Sequence, residues 1–162
     1  MARKVFFSFH YSRDSHRVSQ IRECNSVSQH FTLTPFLTKS KWEEIKLEGR
    51  KAIENWIEEN MRGTSVVVVC YGRETATRPW VRYELEKAHR EGRGILAIDM
   101  SGMKNLQQAV DYIGINPLTT ASDANKRPLS NFAQYRTYHW NHDDGRNNID
   151  EWIEQAAQLV NR

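Results

Sequence analysis

Cysteine is scarce in this sequence: of 162 residues only Cys24 and Cys70 carry a thiol. They form no CxxC pair and no other metal-type spacing, and a chain of this length needs no disulfide scaffold to hold a core. Cys70 ends an apolar run and reads as a small core residue. Long apolar runs are missing too. The longest, Thr64–Gly72 (TSVVVVCYG), is far too short to span a bilayer, so no membrane partner is expected. Met1–Tyr11 enters a strand-like pattern without signal-peptide organisation, which makes the cytoplasm the expected location. Charge of one sign is also lacking. The 23 Lys and Arg are interleaved with 20 Asp and Glu for a net +3, so no nucleic-acid surface is demanded. No P-loop, GxGxxG, GxSxG or HExxH pattern occurs. The chain is expected to fold as one domain over residues 1–162.

What is present alternates between two periods. Lys4–Phe9 (KVFFSF) is aromatic and β-prone, a first strand. Arg13–Cys24 follows as a helix with Asp14 or Ser15 at its N-cap and Val18 and Ile21 on one face. Phe31–Leu37 (FTLTPFL) reads as a short second strand, and Pro35 suggests a sheet edge. Within Trp42–Met61, apolar residues at Ala52, Ile53, Trp56, Ile57 and Met61 form one helical stripe, with Gly49 blurring the start. Thr64–Gly72 is the clearest strand, apolar on both faces like a central parallel strand. A helix over Thr77–Gly92, a strand at Gly94–Met100, a short helix at Asn105–Ile113, a strand at Tyr135–Trp140 and a helix over Asn147–Val160 complete the series. Such alternation implies right-handed crossovers, a parallel sheet covered on both faces, and a flavodoxin-like strand order 2-1-3-4-5.

In such sheets ligands bind beyond the carboxyl ends of the strands, at the switch point between strands 1 and 3. That rule selects Ser8, Phe9, His10 and Tyr11 at the end of strand 1, and the segment Cys70–Trp80 after strand 3. On the following helix Val81, Leu85 and Ala88 form the buried stripe, and Glu84 sits at its margin. Helical side chains lean toward the N-terminus, so Glu84 points back toward the rim of Ser8–His10. Spacing alone leaves two readings open for Glu84: a surface acid paired with Lys87, or a functional carboxylate. His10 is equally open between a ligand-facing imidazole and a satisfied loop residue. Trp42 is either a core anchor or a stacking surface. His139 and His142, beside Asp143 and Asp144, form either a metal site or a polar strand-end loop, and the loop is preferred. A phospho-acceptor or flavin site would need an acidic cluster or a phosphate loop after strand 1, and only Asp14 is offered there.

Lys4–Asp14 (KVFFSFHYSRD) together with Thr64–Gly92 (TSVVVVCYGRETATRPWVRYELEKAHREG) resembles the TIR and TIR-like domains, in particular the TIR-like subunit of the bacterial Thoeris anti-phage defence system. Trp80 and Glu84 reproduce the W-x-x-x-E pattern that carries the catalytic glutamate of NAD-cleaving TIR domains. Gly49 and Ile53 only approximate the family's usual G-x-x-I pattern after strand 2. The resemblance implies a three-layer TIR-like fold and an NAD glycohydrolase or ADP-ribosyl cyclase-type hydrolase. In that reading Glu84 is catalytic, and strand-end geometry adds Ser8, Phe9, His10, Trp80 and Tyr83 as substrate contacts. NAD is the substrate, and neither cofactor nor metal is required. Nicotinamide leaves a cationic precursor as a neutral molecule, so no general acid is needed and one carboxylate suffices. The implied partners are an effector protein reached through a diffusible nucleotide, such as a cyclic ADP-ribose isomer, and a phage-derived trigger; self-association is a further expectation. The alternative implied by the same family is a non-catalytic adaptor that signals by assembly, with Leu37–Lys46 as its interface.

Overall fold

The computed structural model describes residues 3–24, 27, 30–35 and 37–162. Five strands, β1 (Arg3–Ser8), β2 (Phe31–Leu33), β3 (Val66–Tyr71), β4 (Gly94–Asp99) and β5 (Arg136–His139), form one all-parallel sheet in the order β2-β1-β3-β4-β5. That is the 2-1-3-4-5 order of the flavodoxin-like class, in a three-layer α/β fold. β3 is central because Val66–Tyr71 offers water nothing on either face, and all six residues are buried. Val66–Val69 align with Val5–Ser8, which brings the carboxyl ends of β1 and β3 side by side.

β2 is shorter than the apolar run suggested. Thr34 still donates to the Val5 carbonyl at 3.1 Å, but Pro35 has no N–H to continue a ladder. Phe36, also within the expected strand, lies outside the described residues.

The helices used below are α1 (Ser15–Arg22), α2 (Lys39–Leu47), α3 (Arg50–Met61), α4 (Pro79–Arg90) and α5 (Gly145–Gln158). Asp14 takes the N-cap position of α1, but its carboxylate is engaged by arginines instead of the helix N–H groups. Trp42–Met61 is two helices. Gly49 adopts φ +98°, a conformation that residues with a Cβ rarely enter, and the chain turns there. Thr38 starts α2 by accepting from the Lys41 N–H at 3.2 Å. Ile53, Ile57 and Met61 of α3 are buried, as their spacing requires. Pro79 opens α4 at a position where a missing N–H costs nothing, and Val81, Leu85 and Ala88 enter the core. Each such side chain contributes roughly 1.5–3 kcal/mol on full burial, Ala88 less. α5 crosses β4 so closely that a Cβ on Gly94 would stand 2.5 Å from the Ala156 carbonyl oxygen.

Asn105–Ile113 is not a helix. Asn105 Oδ1 accepts from the N–H groups of Gln107 and Ala109 at 2.9 and 3.0 Å, and Gln108 takes φ +62°. This local side-chain turn competes with helix formation and wins. The segment is instead strapped over the carboxyl ends of the strands. Arg13 forks onto Asp111 at 2.7 and 2.8 Å, Asp111 accepts the Arg73 N–H at 2.9 Å, and Arg17 donates to the carbonyls of Met103 and Ala109. Burial would raise the Asp111 carboxyl, but the Arg13 fork and the backbone N–H groups overcome it and hold the group at about 2. Gly72 leaves room for this pair, because a Cβ there would lie 2.4 Å from Asp111 Oδ2. Among the described residues, no helix is long and apolar enough to cross a membrane.

Candidate active site

Ser8 ends β1 with its side chain on the face that α4 covers. Glu84, in the second turn of α4, leans back toward the helix N-terminus as helical side chains do. The two meet: Ser8 Oγ donates to Glu84 Oε1 at 2.7 Å. Three residues past the strand, the Tyr11 hydroxyl donates to Glu84 Oε2 at 2.6 Å. Ser8, Tyr11 and Glu84 are all buried, Glu84 completely. Burial pushes the Glu84 carboxyl up to about 8, against the two hydroxyl bonds that favour its ionised form. Tyr11, also buried and facing a carboxylate, is held well above the ordinary tyrosine range.

Lys87 does not pair with Glu84. Its ammonium bonds Glu58 of α3 and, at 2.8 Å, Glu91. The surface-acid reading of Glu84 therefore falls: the carboxyl lies in the core at the sheet's switch point, and among the described residues its hydrogen-bond partners are the hydroxyls of Ser8 and Tyr11. The outer charges of α4 are committed elsewhere, with Glu86 accepting from Arg82 at 3.1 Å and from the Ser122 N–H at 2.8 Å.

A cleft opens beside this buried group, with about 440 Å³ of space, its open mouth included. Phe9, His10, Tyr11 and Trp42 line it, together with Arg78, Pro79 and Trp80. Tyr11 is packed edge-on by Phe9 at 4.4 Å and lies 4.8 Å from the Trp42 ring, so its hydroxyl is aimed by aromatic packing. Trp42 is thus a buried anchor and a cleft wall at once. His10 is half-buried in the wall. Burial first, then the Arg78 charge, lowers its pKa from the ordinary histidine value.

Of the residues selected from the sequence, Ser8 and Glu84 are bonded to each other, and Phe9, His10 and Trp80 line the adjoining cleft. Tyr83 does not reach it. Its ring sits edge-on to Trp80 at 5.2 Å, and the residue lines a second, neighbouring groove. Tyr11, picked out with the end of β1 but given no role there, bonds Glu84 and lines the cleft, and Lys46 and Arg78, also given no role, line it too. Tyr11 had a usable signal, since the first turn after a switch-point strand carries ligand-facing groups. Lys46 and Arg78 had none, because their approach depends on how α2 and the β3–α4 connection pack.

The His139–His142 loop is knit internally. His139 Nδ1 accepts the His142 N–H at 3.0 Å, and its Nε2 meets Ser101 Oγ at 3.0 Å. With Nδ1 accepting, Nε2 carries the proton, so this imidazole cannot take one from Ser101. Both nitrogens are occupied, and among the described residues no group of three metal-ligating side chains occurs.

A five-stranded parallel sheet in this order, with a buried glutamate of the helix after β3 facing the end of β1, defines a TIR-like domain. The family assignment agrees. Residues 6–105 match the family described as "Thoeris protein ThsB, TIR-like domain", and the chain belongs to that family. It is also similar to a protein of Bacillus cereus (strain MSX-D12) named "Putative cyclic ADP-D-ribose synthase ThsB1", with 26% identity over 191 aligned positions that cover 94% of this chain and 100% of the relative.

Proposed function

We propose that this protein cleaves the nicotinamide–ribose bond of NAD and converts the ADP-ribosyl group into a nucleotide signal, with a cyclic ADP-ribose isomer as product, that activates a partner effector in anti-phage defence. The observation that carries the reading is the Glu84 carboxylate, which holds one hydroxyl on each oxygen at 2.7 and 2.6 Å. A carboxylate held this way is set up to bind the vicinal hydroxyls of a ribose.

In the reaction the C1′–N bond breaks and its electron pair stays on nicotinamide, which departs neutral. The ribosyl carbon becomes electron-poor, and Glu84, which releases its proton to water when the closed site opens to the cationic substrate, stabilises it with its negative charge. An acceptor then adds and loses its proton: water gives ADP-ribose, and an atom of the same nucleotide gives a ring. Phe9, Trp42 and Trp80 supply aromatic surface for the planar nicotinamide and limit water. Ser8 stays as the second ligand of Glu84 and fixes its orientation.

The same geometry describes a closed resting state. Both oxygens of Glu84 are occupied and the group is fully buried. The ribose must therefore displace the Tyr11 hydroxyl, which occupies the place of a substrate hydroxyl. A phage-derived trigger would act by favouring that displacement. The test is nicotinamide release from NAD by purified protein with extract of phage-infected cells. Wild type is expected to release nicotinamide, and Glu84→Gln to be slower by at least a hundredfold. Equal turnover in the two proteins sinks the reading.

One observation favours the adaptor reading. Leu106, Val110, Tyr112, Ile113 and Ile115 are all exposed within ten residues, an apolar surface of the kind that binds proteins. Triggered signalling that proceeds without NAD loss, and that charged substitutions at Tyr112 and Ile113 abolish, would select it.

A further inference from the structure

The cleft beside Glu84 shares part of its lining with a second groove, and three arginines line that groove. The second groove holds about 840 Å³, its open mouth included, and shares Arg78 and Pro79 with the first. Arg50 and Arg82 stand in its wall together with Tyr83. Arg50 spends only its Nε on Glu54, at 3.0 Å, and Arg82 only its Nε on Glu86, at 3.1 Å. Among the described residues their terminal guanidinium nitrogens have no hydrogen-bond partner. Arg78 is exposed, and its whole guanidinium is uncommitted in the same sense. The one carboxylate in the wall, Glu86, is already bonded by Arg82 and by the backbone and hydroxyl of Ser122. No side chain caps α4, whose first turn borders both grooves.

These features together describe an anion site. Planar guanidinium forks match phosphate oxygens two at a time, and an uncapped helix start adds positive potential. Three arginines face a ligand with two adjacent negative groups better than one with a single charge. Trp80 lines the first groove, and the Arg50 guanidinium of the second lies 5.3 Å from its ring centre.

We propose that Arg78, Arg50 and Arg82 form a pyrophosphate subsite that spans the Pro79–Trp80 edge and joins the two grooves. A dinucleotide then lies across that edge, its reacting ribose toward Glu84 and its far nucleoside on Tyr83. The orientation rests on the reading that Glu84 acts on a ribosyl bond; the anion site does not. It also gives Tyr83 a part in binding at the distal end, away from the reacting bond.

The site is open while Glu84 is closed, so binding can be measured without a trigger. Calorimetric titration would use ADP-ribose, inorganic pyrophosphate and nicotinamide riboside against wild type, Arg78→Ala, Arg78→Lys and the Arg50→Ala/Arg82→Ala double variant. ADP-ribose affinity is expected to fall at least tenfold in Arg78→Ala, to return only in part in Arg78→Lys, and to weaken in wild type as salt rises. Nicotinamide riboside, which has no pyrophosphate, is expected to bind all four proteins alike. ADP-ribose affinity within twofold of wild type in both alanine variants overturns the subsite. So does wild type that binds neither ADP-ribose nor pyrophosphate. Pyrophosphate binding that depends on Arg78, with ADP-ribose binding no tighter, keeps the anion site and removes the dinucleotide. Melting temperatures of these exposed-residue variants, expected to match wild type, separate lost binding from lost folding.

Discussion

Replacing Glu84 by Gln should make the protein more stable, and increasingly so as pH rises from 5 to 8. In the fold the carboxyl titrates at about 8 because it is buried; its ordinary value is 4.5. Between those values the folded chain holds a proton that the unfolded chain has released. Stability must therefore fall as pH rises through this window, and level off above about 8. The difference between 8 and 4.5, at about 1.4 kcal/mol for each pH unit, gives a total of about 5 kcal/mol as an upper bound. Gln is isosteric and never ionises, and the hydroxyls of Ser8 and Tyr11 can each donate to or accept from its amide. Every other titrating group is common to both proteins, so the difference between them isolates Glu84. For a domain of this size about 1.4 kcal/mol corresponds to roughly 3–6 °C in melting temperature. Calorimetric scans at half-unit pH steps should show the two curves diverging by about that much per pH unit up to pH 8. Parallel curves across this range would mean that Glu84 is ionised and solvated, and the closed-site description would be wrong.

Tyr11→Phe removes the 2.6 Å bond to Glu84 Oε2 and should lower stability by about 1–3 kcal/mol at pH 8.5, where the carboxylate is ionised and left one donor short. An unchanged urea midpoint there would show that the hydroxyl does not hold the carboxylate. Gly72→Ala places a Cβ 2.4 Å from Asp111 Oδ2, so the Arg13–Asp111 pair must move. Faster amide hydrogen exchange over residues 100–116 is expected, and wild-type protection there would refute the strap. Asp111, depressed to about 2 in the fold, contributes stability that is complete above its ordinary 3.8 and disappears as pH falls through about 2. Asp111→Asn should therefore be the less stable protein at pH 6 and lose less on acidification to pH 2. Equal losses in the two proteins would show that Asp111 is not paired.

The sheet was legible because its signals are local. Four valines in a row identify a central strand, and strand–helix alternation then dictates handedness and order. Glu84 was legible from two separate rules, the switch point and the lean of helical side chains, but its depth was not. Helical spacing set it at the margin of the buried stripe, whereas Tyr11 and Trp42 close over that margin from elements distant in sequence. The failed helix at Asn105–Ile113 had a readable cause in the side chain of Asn105. The Arg13–Asp111 strap could not be read, since a pair 98 positions apart leaves no periodic trace. Tyr83 followed from the same helix turn as Trp80, yet the two residues line different grooves, a distinction that helical spacing alone does not resolve.

The bond between Ser8 and Glu84 joins positions 76 apart, across two crossovers. While the chain is being synthesised, the first strand waits for most of the sheet before its serine finds the acid. An incomplete product that stops before α4 has Ser8, Tyr11 and Trp42 but not the carboxylate they close over. A chain abandoned before α4 therefore carries no acid at this centre. The long separation makes the acid the last of the centre's three hydrogen-bonded groups to be synthesised.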